Sequence, residues 1–219
     1  MTDYLRAVID MIGPSNDFRP DAAAWLRLEG ELGRSLPEDF KAIADRYGAC
    51  QINHHLNLLR PTDGWWDLGT WMRQISRLWS QEKVVQQDVE PRLDPRVIFG
   101  LPEITFGSAQ GLIPLAGTDQ GHLVFLAPQA HGVPDGIAVM NREGEWAGYA
   151  LSFAEWLYRY LAGEEMFGGD SAVFYPGPVH REHFPAGPGQ GSRVVHGPPR
   201  GMADSAVGPA PARSERPRP

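Results

Sequence analysis

The fold of this chain is decided by Glu29-Gly30-Glu31-Leu32-Gly33-Arg34-Ser35-Leu36-Pro37-Glu38-Asp39-Phe40-Lys41, which continues to Tyr47-Gly48. The stretch predicts two short helices joined by a tight turn. Gly33 directly follows the last apolar residue of the first helix, where a left-handed residue commonly ends a helix. Pro37 suits the first turn of the second helix because its missing N–H has no partner there. The acids that follow it suit the positive end of the helix dipole.

Apolar residues at helical spacing extend this pattern on both sides. They predict further helices over residues 2–12, 21–32 and 65–87, beside the Pro37–Tyr47 helix. Between them, residues 51–60 read as an extended segment, and the turn that follows starts at Pro61. A short apolar run at 97–99 stands in a segment interrupted by prolines.

The second half has the pattern of an antiparallel sheet. Apolar runs at 112–115, 123–126 and 137–140 are separated by turns, and the Thr118–Gly121 turn offers a glycine for positive φ. Ser152-x-x-Glu155 is a capping box at the start of a last helix. This order predicts an α+β fold: N-terminal helices, then a mainly antiparallel sheet, then a closing C-terminal helix.

The composition changes near residue 175. Residues 176–219 hold ten prolines and seven glycines and lack any periodicity, so they cannot bury enough apolar surface to offset chain ordering. We therefore expect one domain over 1–175 and a basic, disordered tail over 176–219. Residues 173–175, at the end of the predicted domain, are a candidate for a short edge strand or for packing on the core.

Three blocks of the sequence are similar to the SUKH superfamily, which includes cell-wall assembly regulators and bacterial immunity proteins. The first is the opening stretch, where Glu, Leu-Gly, Leu-Pro, Asp-aromatic-Lys and a later glycine recur at the family spacing; Ala49 stands where a second glycine is usual. The second runs from Gly111 to Leu126, with Leu115 in place of a common aromatic and His122 in place of a common Asp. The third is Trp146–Leu157. The resemblance covers about residues 22–165 and implies an α+β domain that works by binding and carries no catalytic residues.

Charge and composition narrow the classes of partner. The net charge is −7, and the predicted tail carries six arginines against three acids, which leaves −10 on residues 1–175. An acidic body disfavours nucleic-acid binding and suits a basic protein, although mild acidity would equally serve only to keep the protein in solution. No apolar run is long enough to cross a bilayer, and the N-terminus does not look like a signal peptide. The single Cys50 fits a reducing compartment, so we expect a cytoplasmic protein.

The sequence offers weak catalytic and metal patterns, and none fixes a site. His180-x-x-His183 lies in the proline- and glycine-rich segment without a third ligand, so we expect two solvated histidines, no metal and no cofactor. Ser108 lacks the strand-to-helix setting of a hydrolase nucleophile. Cys50 beside His54 and His55 leaves a nucleophile open, although a buried thiol explains it as well.

The candidate partner-binding residues are aromatic and acidic. Trp65 and Trp66 are adjacent, so both cannot face inward on a helix, and they stand between Asp63 and Asp67. An exposed aromatic ring among acids is typical of an interface anchor, although both could also fill a satellite of the core. Weaker candidates are Asp119 and His122 at the predicted hairpin turn and the 131–135 loop.

Two non-catalytic functions and one enzymatic function remain open. The first is an immunity protein that occludes a toxin effector, such as a basic nuclease. The second is a regulatory or scaffolding adaptor for a housekeeping partner. An enzyme using His54 or His55 is the third class, but nothing in the sequence names a substrate.

Overall fold

The protein is described from a computed structural model, over residues 2–15, 19–62, 64–81, 94–128, 135–167, 177–185, 187 and 189–200. The helices in that part of the chain are α1 (Tyr4–Ile12), α2 (Ala22–Leu32), α3 (Glu38–Tyr47), α4 (Leu68–Gln81), α5 (Pro95–Phe99) and α6 (Phe153–Leu161). The strands are β1 (Cys50–Ile52), β2 (Leu56–Leu58), β3 (Ile113–Thr118), β4 (Leu123–Ala127), β5 (Gly136–Met140), β6 (Trp146–Tyr149), β7 (His180–His183) and β8 (Arg193–His196).

All eight strands form one antiparallel sheet in the order β6-β5-β4-β3-β2-β1-β7-β8. Helices α1 to α3 precede it along the chain and α6 follows β6. The α+β prediction is therefore confirmed, with N-terminal helices, an antiparallel sheet and a closing helix. The segment predicted as one extended run, 51–60, is a hairpin of β1 and β2 joined by a tight turn at Asn53–His55.

The long strands β4 and β5 are buried on both faces, which is why they read as continuous apolar runs. On one face, Val124 and Leu126 join the larger core cluster beneath α1, α2, α3 and α6. On the other face, Phe125 and its neighbours form a second cluster with α5 and one side of α4. The sheet is thus covered on both sides at β3–β6, and side-chain alternation assigns successive residues to opposite layers.

Glu29 links the α2–α3 turn to α3. Gly33 has φ +72° and ends α2 in the left-handed conformation, as its position predicts. The Glu29 carboxylate accepts hydrogen bonds from the Leu36 N–H at 2.9 Å and from Lys41 Nζ at 3.0 Å. Lys41 and Glu29 are both mostly buried, so this pair holds the turn in one conformation.

Asp39 joins α3 to the last helix. Its carboxylate accepts from the Phe40 N–H at 2.8 Å and from the Ala154 N–H of α6 at 2.7 Å, 115 positions away in sequence. Ser152 caps the same helix by accepting from the Glu155 N–H, as the capping-box pattern predicts. Asp39 therefore has a structural role, because its carboxylate satisfies backbone donors in the first turns of α3 and α6 that would otherwise lack partners. The Glu29 carboxylate does the same for the Leu36 N–H in the turn before α3.

Two helix predictions differ from the structure in their bounds. The helix predicted from Trp65 starts at Leu68, because Asp67 caps it and residues 64–66 form the preceding turn. It is described to Gln81, and the rest of the predicted segment lies outside the described residues. The apolar run 97–99 is part of the short helix α5, begun by the Asp94 side chain and Pro95.

The sheet does not end near residue 175. Strand β7 pairs with β1, and β8 pairs with β7, so residues assigned to a tail lie in the sheet. Val179 and Arg181 are buried there, at 0% and 1% exposure. The high proline and glycine content gave no sign of these two four-residue strands, of which β7 pairs with β1, far back in the sequence, and β8 pairs with β7. Residues 173–175 and 201–219 lie outside the described part of the chain.

The extended fold changes the charge balance that the sequence predicted. Residues 1–200 carry a net charge of −8, because Arg181, Arg193 and Arg200 outnumber Glu182 between 176 and 200. The body is still acidic, but its C-terminal hairpin is locally basic.

Candidate partner-binding site

Trp65 and Trp66 occupy the turn that leads from β2 into α4. Arg60 forms an isolated bridge with Asp67, and the Leu68 N–H donates to the Arg60 carbonyl at 3.0 Å, so the turn is closed at its base. The two tryptophans project from this closed turn, with Trp65 71% exposed and Trp66 40% exposed. Adjacent tryptophans could not both face inward on a helix; here they lie in a turn, and both are exposed.

Trp66 is held in place by residues that follow β7. Its ring stacks on Phe184 with centroids 4.3 Å apart and an interplanar angle of 25°. Its indole N–H donates to the Pro185 carbonyl at 3.2 Å. We call Trp65, Trp66 and Phe184 the aromatic platform. Phe184 was not predicted as part of a binding surface, because it lies in the segment expected to be a tail. The sequence feature that could have indicated it is a large aromatic residue among prolines and glycines.

Asp67, predicted beside the tryptophans as part of the partner surface, has a structural role in this turn. One carboxylate oxygen accepts from the Thr62 N–H at 3.0 Å and the other from the Thr70 N–H at 2.6 Å. The side chain is 19% exposed, and Arg73 lies 4.0 Å from it. Its carboxylate is therefore committed to capping α4. Asp63 lies outside the described residues.

Asp119 and His122 lie at the β3–β4 turn, as predicted. The Asp119 side chain is exposed, and its Oδ1 lies 3.4 Å from Nδ1 of the buried His55. His122 is half-buried, with its ring 4.9 Å from that of Phe167 and 5.7 Å from that of His55. Burial lowers the pKa of both histidines; for His55, the Asp119 carboxylate opposes the shift without reversing it.

The structure does not bring the two predicted patches together. Leu56, at one end of β2, pairs with Thr118 beside the Asp119 turn, whereas the tryptophan turn follows Arg60. At about 3.3 Å per residue, four steps of extended chain separate these ends by roughly 13 Å. Asp119 and His122 therefore form a second surface, distinct from the aromatic platform. The 131–134 part of the other predicted loop lies outside the described residues.

The possible nucleophile is poorly placed for chemistry. Cys50 is fully buried on β1, and burial raises the pKa of its thiol to about 12, although Arg181 nearby opposes this. A reactive cysteine needs a lowered pKa and access to substrate. His54 is turned toward β7, where its ring stacks on that of His180 at 3.8 Å. Ser108 belongs to a turn, where its carbonyl accepts from the Gly111 N–H.

The two histidines expected to be solvated in a tail lie on β7, and both are partly buried. They face opposite sides of the strand, since the position between them, Arg181, shares a face with His183. Among the residues that the structure describes, no group of three His, Cys, Asp or Glu side chains is arranged to hold a metal ion.

The order of elements and the motif contacts agree with one family of sequences. The model of the SMI1 / KNR4 family (SUKH-1) matches residues 19–159, well over half of the chain. The chain belongs to this family. The resemblance seen in the three sequence blocks is thereby confirmed. The SUKH-1 match includes α2 to α5 and β1 to β6 and nearly all of α6, and it leaves out α1 and the β7–β8 hairpin.

Other comparisons return no relatives. No curated protein and no solved structure matches the chain. In the described residues, every helix is too short or too polar to cross a membrane.

Proposed function

We propose that this SUKH-1 domain is a non-catalytic protein-binding module, an immunity protein that neutralises a toxin effector by covering its working surface. The observation that carries the proposal is the aromatic platform, above all Trp65 at 71% exposure. Family membership supports the choice of a binding role, because the resemblance brings no catalytic residues with it.

The platform has the features of an interface anchor. Tryptophan is a large and rigid aromatic side chain, and truncation of such an anchor at the centre of an interface typically costs about 2 kcal/mol or more of binding free energy. Trp66 is already fixed by Phe184 and Pro185, so a partner that docks there would lose little side-chain entropy in ordering it. Trp65 is the more exposed of the two tryptophans and would gain most from being covered.

Charge favours a basic partner. The net charge of −8 on residues 1–200 would attract a positively charged protein and raise its association rate. A nuclease toxin carries such a surface for binding nucleic acid, and the same acidity disfavours nucleic acid as a ligand of this chain. The exposed Asp119 adds a negative charge at the β3–β4 turn. His122 is less accessible to a partner because the Phe167 ring packs against it. The cytoplasm is the compartment we propose for this encounter.

A regulatory or scaffolding adaptor is the second candidate. Residues 201–219 favour it by composition, since they combine four prolines with three arginines and contain no large apolar residue except Met202 and Val207. Such segments often carry short binding motifs. The same aromatic platform would then hold a housekeeping protein.

Co-expression tests the choice between these roles. The chain is produced together with the toxin encoded beside its gene, and growth and co-elution are measured. An immunity protein restores growth and elutes with the toxin as one complex. Failure to bind or to rescue would contradict the immunity role, and stable capture of a housekeeping protein by the purified chain would instead support the adaptor.

A further inference from the structure

The β7–β8 hairpin is an addition to the region that matches the family. It joins the sheet through one neighbour, β1, with Cys50 opposite His183 and Ile52 opposite Arg181. Its other side, β8, is the edge of the sheet, and three of its four residues are exposed. The hairpin is therefore an element that could leave β1 while the other six strands stay paired.

The outer face of β7 carries a stack of imidazole rings. His180 lies directly across from His196 of β8, with ring centroids 5.2 Å apart. On its other side the ring of His54, from the β1–β2 turn, lies 3.8 Å away. Asn53 of the same turn holds the His180 backbone, accepting from its N–H at 2.9 Å and donating to its carbonyl at 2.7 Å.

Protonation of this stack is disfavoured by its surroundings. Burial lowers the pKa of His180, and the neighbouring His54 and His196 lower it further. Glu182 of β7 is the one acid that opposes these effects. Gln51, the residue that pairs with Glu182 on β1, carries no charge. Two neighbouring imidazole rings therefore disfavour a proton on His180, and the Glu182 carboxylate favours it.

The inner face of β7 is already cationic. Arg181 is 1% exposed, with its guanidinium 4.8 Å from the centre of the Tyr47 ring and Nη2 donating to the Pro14 carbonyl at 2.7 Å. Among the described residues its Nε and Nη1 are buried without a hydrogen-bond partner. Arg46 of α3 adds a further positive charge nearby. A buried guanidinium with this little compensation makes docking of β7 costly.

His183 lies beside this buried cation. Burial, Arg181 and Arg193 of β8 together lower the pKa of His183 to about 4. A proton on His183 would be a further positive charge beside two arginines. Both faces of β7 therefore bind protons less readily when the strand is docked than they would in water.

We propose that the β7–β8 hairpin is an acid-released latch on the β1 edge of the sheet. Released histidines recover an ordinary pKa near 6.5, so the released hairpin holds more protons than the docked one below that pH. Docking is therefore fully favoured above about pH 6.5 and is lost progressively as the pH falls toward about 4. Beyond the hairpin, Arg200 donates to the Leu161 carbonyl at 2.7 Å, and this contact holds the far end of the hairpin.

Release would also change the aromatic platform. Phe184 directly follows β7, and its N–H donates to the Ala49 carbonyl at 3.1 Å. Once β7 leaves β1, Trp66 loses the ring on which it stacks. The latch would thus couple pH to the surface beside Trp65, whichever partner that surface binds.

The single cysteine reports on the latch directly. Cys50 is fully buried on the strand that β7 covers, so hairpin release opens a path to its thiol. The full chain is treated with 4,4′-dithiodipyridine, and the labelling rate at each pH is divided by the rate for the denatured chain. We expect this normalised rate to rise about tenfold from about pH 7.5 to about pH 5, while far-UV circular dichroism retains the core signal.

Variants separate the latch from general acid destabilisation. His180→Gln/His183→Gln removes both titrating rings of β7 and should reduce the rise to about twofold or less. His122→Gln removes a half-buried histidine outside the hairpin and should leave the rise intact. If the double variant does not fold, His54→Asn removes the ring stacked on His180, keeps a residue that tolerates φ +56°, and should lower the rise. A normalised rate that does not change with pH, an equal rise in these β7 or His54 variants, or a rise only where the core signal is lost would overturn the proposal.

Discussion

The two halves of the sheet are built differently. Strands β3 to β5 are buried throughout and β6 in part, and these four strands separate two apolar clusters, with helices on both faces. In the other half, β1 and β2 are three residues long and β7 and β8 four, and β7 consists of two histidines, a buried arginine and a glutamate. Apolar burial holds β3 to β6, whereas β7 and β8 are joined to β1 by backbone pairing around polar side chains.

This contrast indicates which part of the sheet resists change and which part can move. Apolar burial on two faces makes β3 to β5 costly to disrupt. The β7–β8 hairpin adds pairing, but it buries a guanidinium whose Nε and Nη1 lack hydrogen-bond partners among the described residues, and its histidines disfavour docking as protons become available. The aromatic platform depends on this hairpin, since Trp66 belongs to the turn before α4 and stacks on Phe184, which follows β7.

The largest expected effect is in the apolar half. Phe125→Ala on β4 removes a fully buried ring that packs on Phe106 and Trp146, and should lower the free energy of unfolding by about 3–5 kcal/mol. Val194→Ala on β8, where the side chain is 47% exposed, is the matched control and should change it by about 0.5 kcal/mol or less. Urea unfolding of both variants measures the contrast; similar losses would show that the two halves contribute alike.

A smaller effect is expected where the motif joins helices. Asp39→Ala leaves the N–H groups of Phe40 and Ala154 without their acceptor and should cost about 1–3 kcal/mol. Glu38→Ala, on the same helical turn, removes an exposed carboxylate that pairs with Lys41 and should cost about 1 kcal/mol or less. Thermal unfolding of the two variants measures the difference between these losses. Equal losses would mean that Asp39 does not connect α3 to α6 as the contacts indicate.

The sequence predicted the apolar half well because its signals are local. Gly33 needs a left-handed backbone, Ser152 caps the helix that starts beside it, and β4 and β5 are continuous apolar runs. The β7–β8 half could not be predicted in this way. Strand β7 contains charged and titratable residues, and its partner β1 is more than a hundred residues earlier in the chain. Strand β8 is the edge strand and pairs with β7, so its place in the sheet depends on the same distant pairing.

The aromatic platform was predicted only in part, because one of its residues follows the unpredicted strand β7. Adjacency alone indicated that Trp65 or Trp66 would be exposed, and both are. Phe184, which orients Trp66, depends on the unpredicted strand β7. Asp67 was given a binding role on charge, but its spacing to Thr70 makes it a helix cap, and a capping pattern could have indicated this. Whether Asp119 and His122 contact a partner stays a prediction.

The most direct test of the binding account compares two equally exposed apolar side chains. Trp65 is 71% exposed on the platform and Leu26 is 70% exposed on α2, so substitution of either by alanine should change the free energy of unfolding by about 0.5 kcal/mol or less. The dissociation constant of each variant is measured for the protein partner that co-elutes with the wild-type chain. Trp65→Ala should weaken binding by roughly tenfold or more, as loss of a central aromatic anchor does, and Leu26→Ala should leave it within about twofold. Equal affinities for the two variants would contradict the claim that the aromatic platform is where this domain holds its partner.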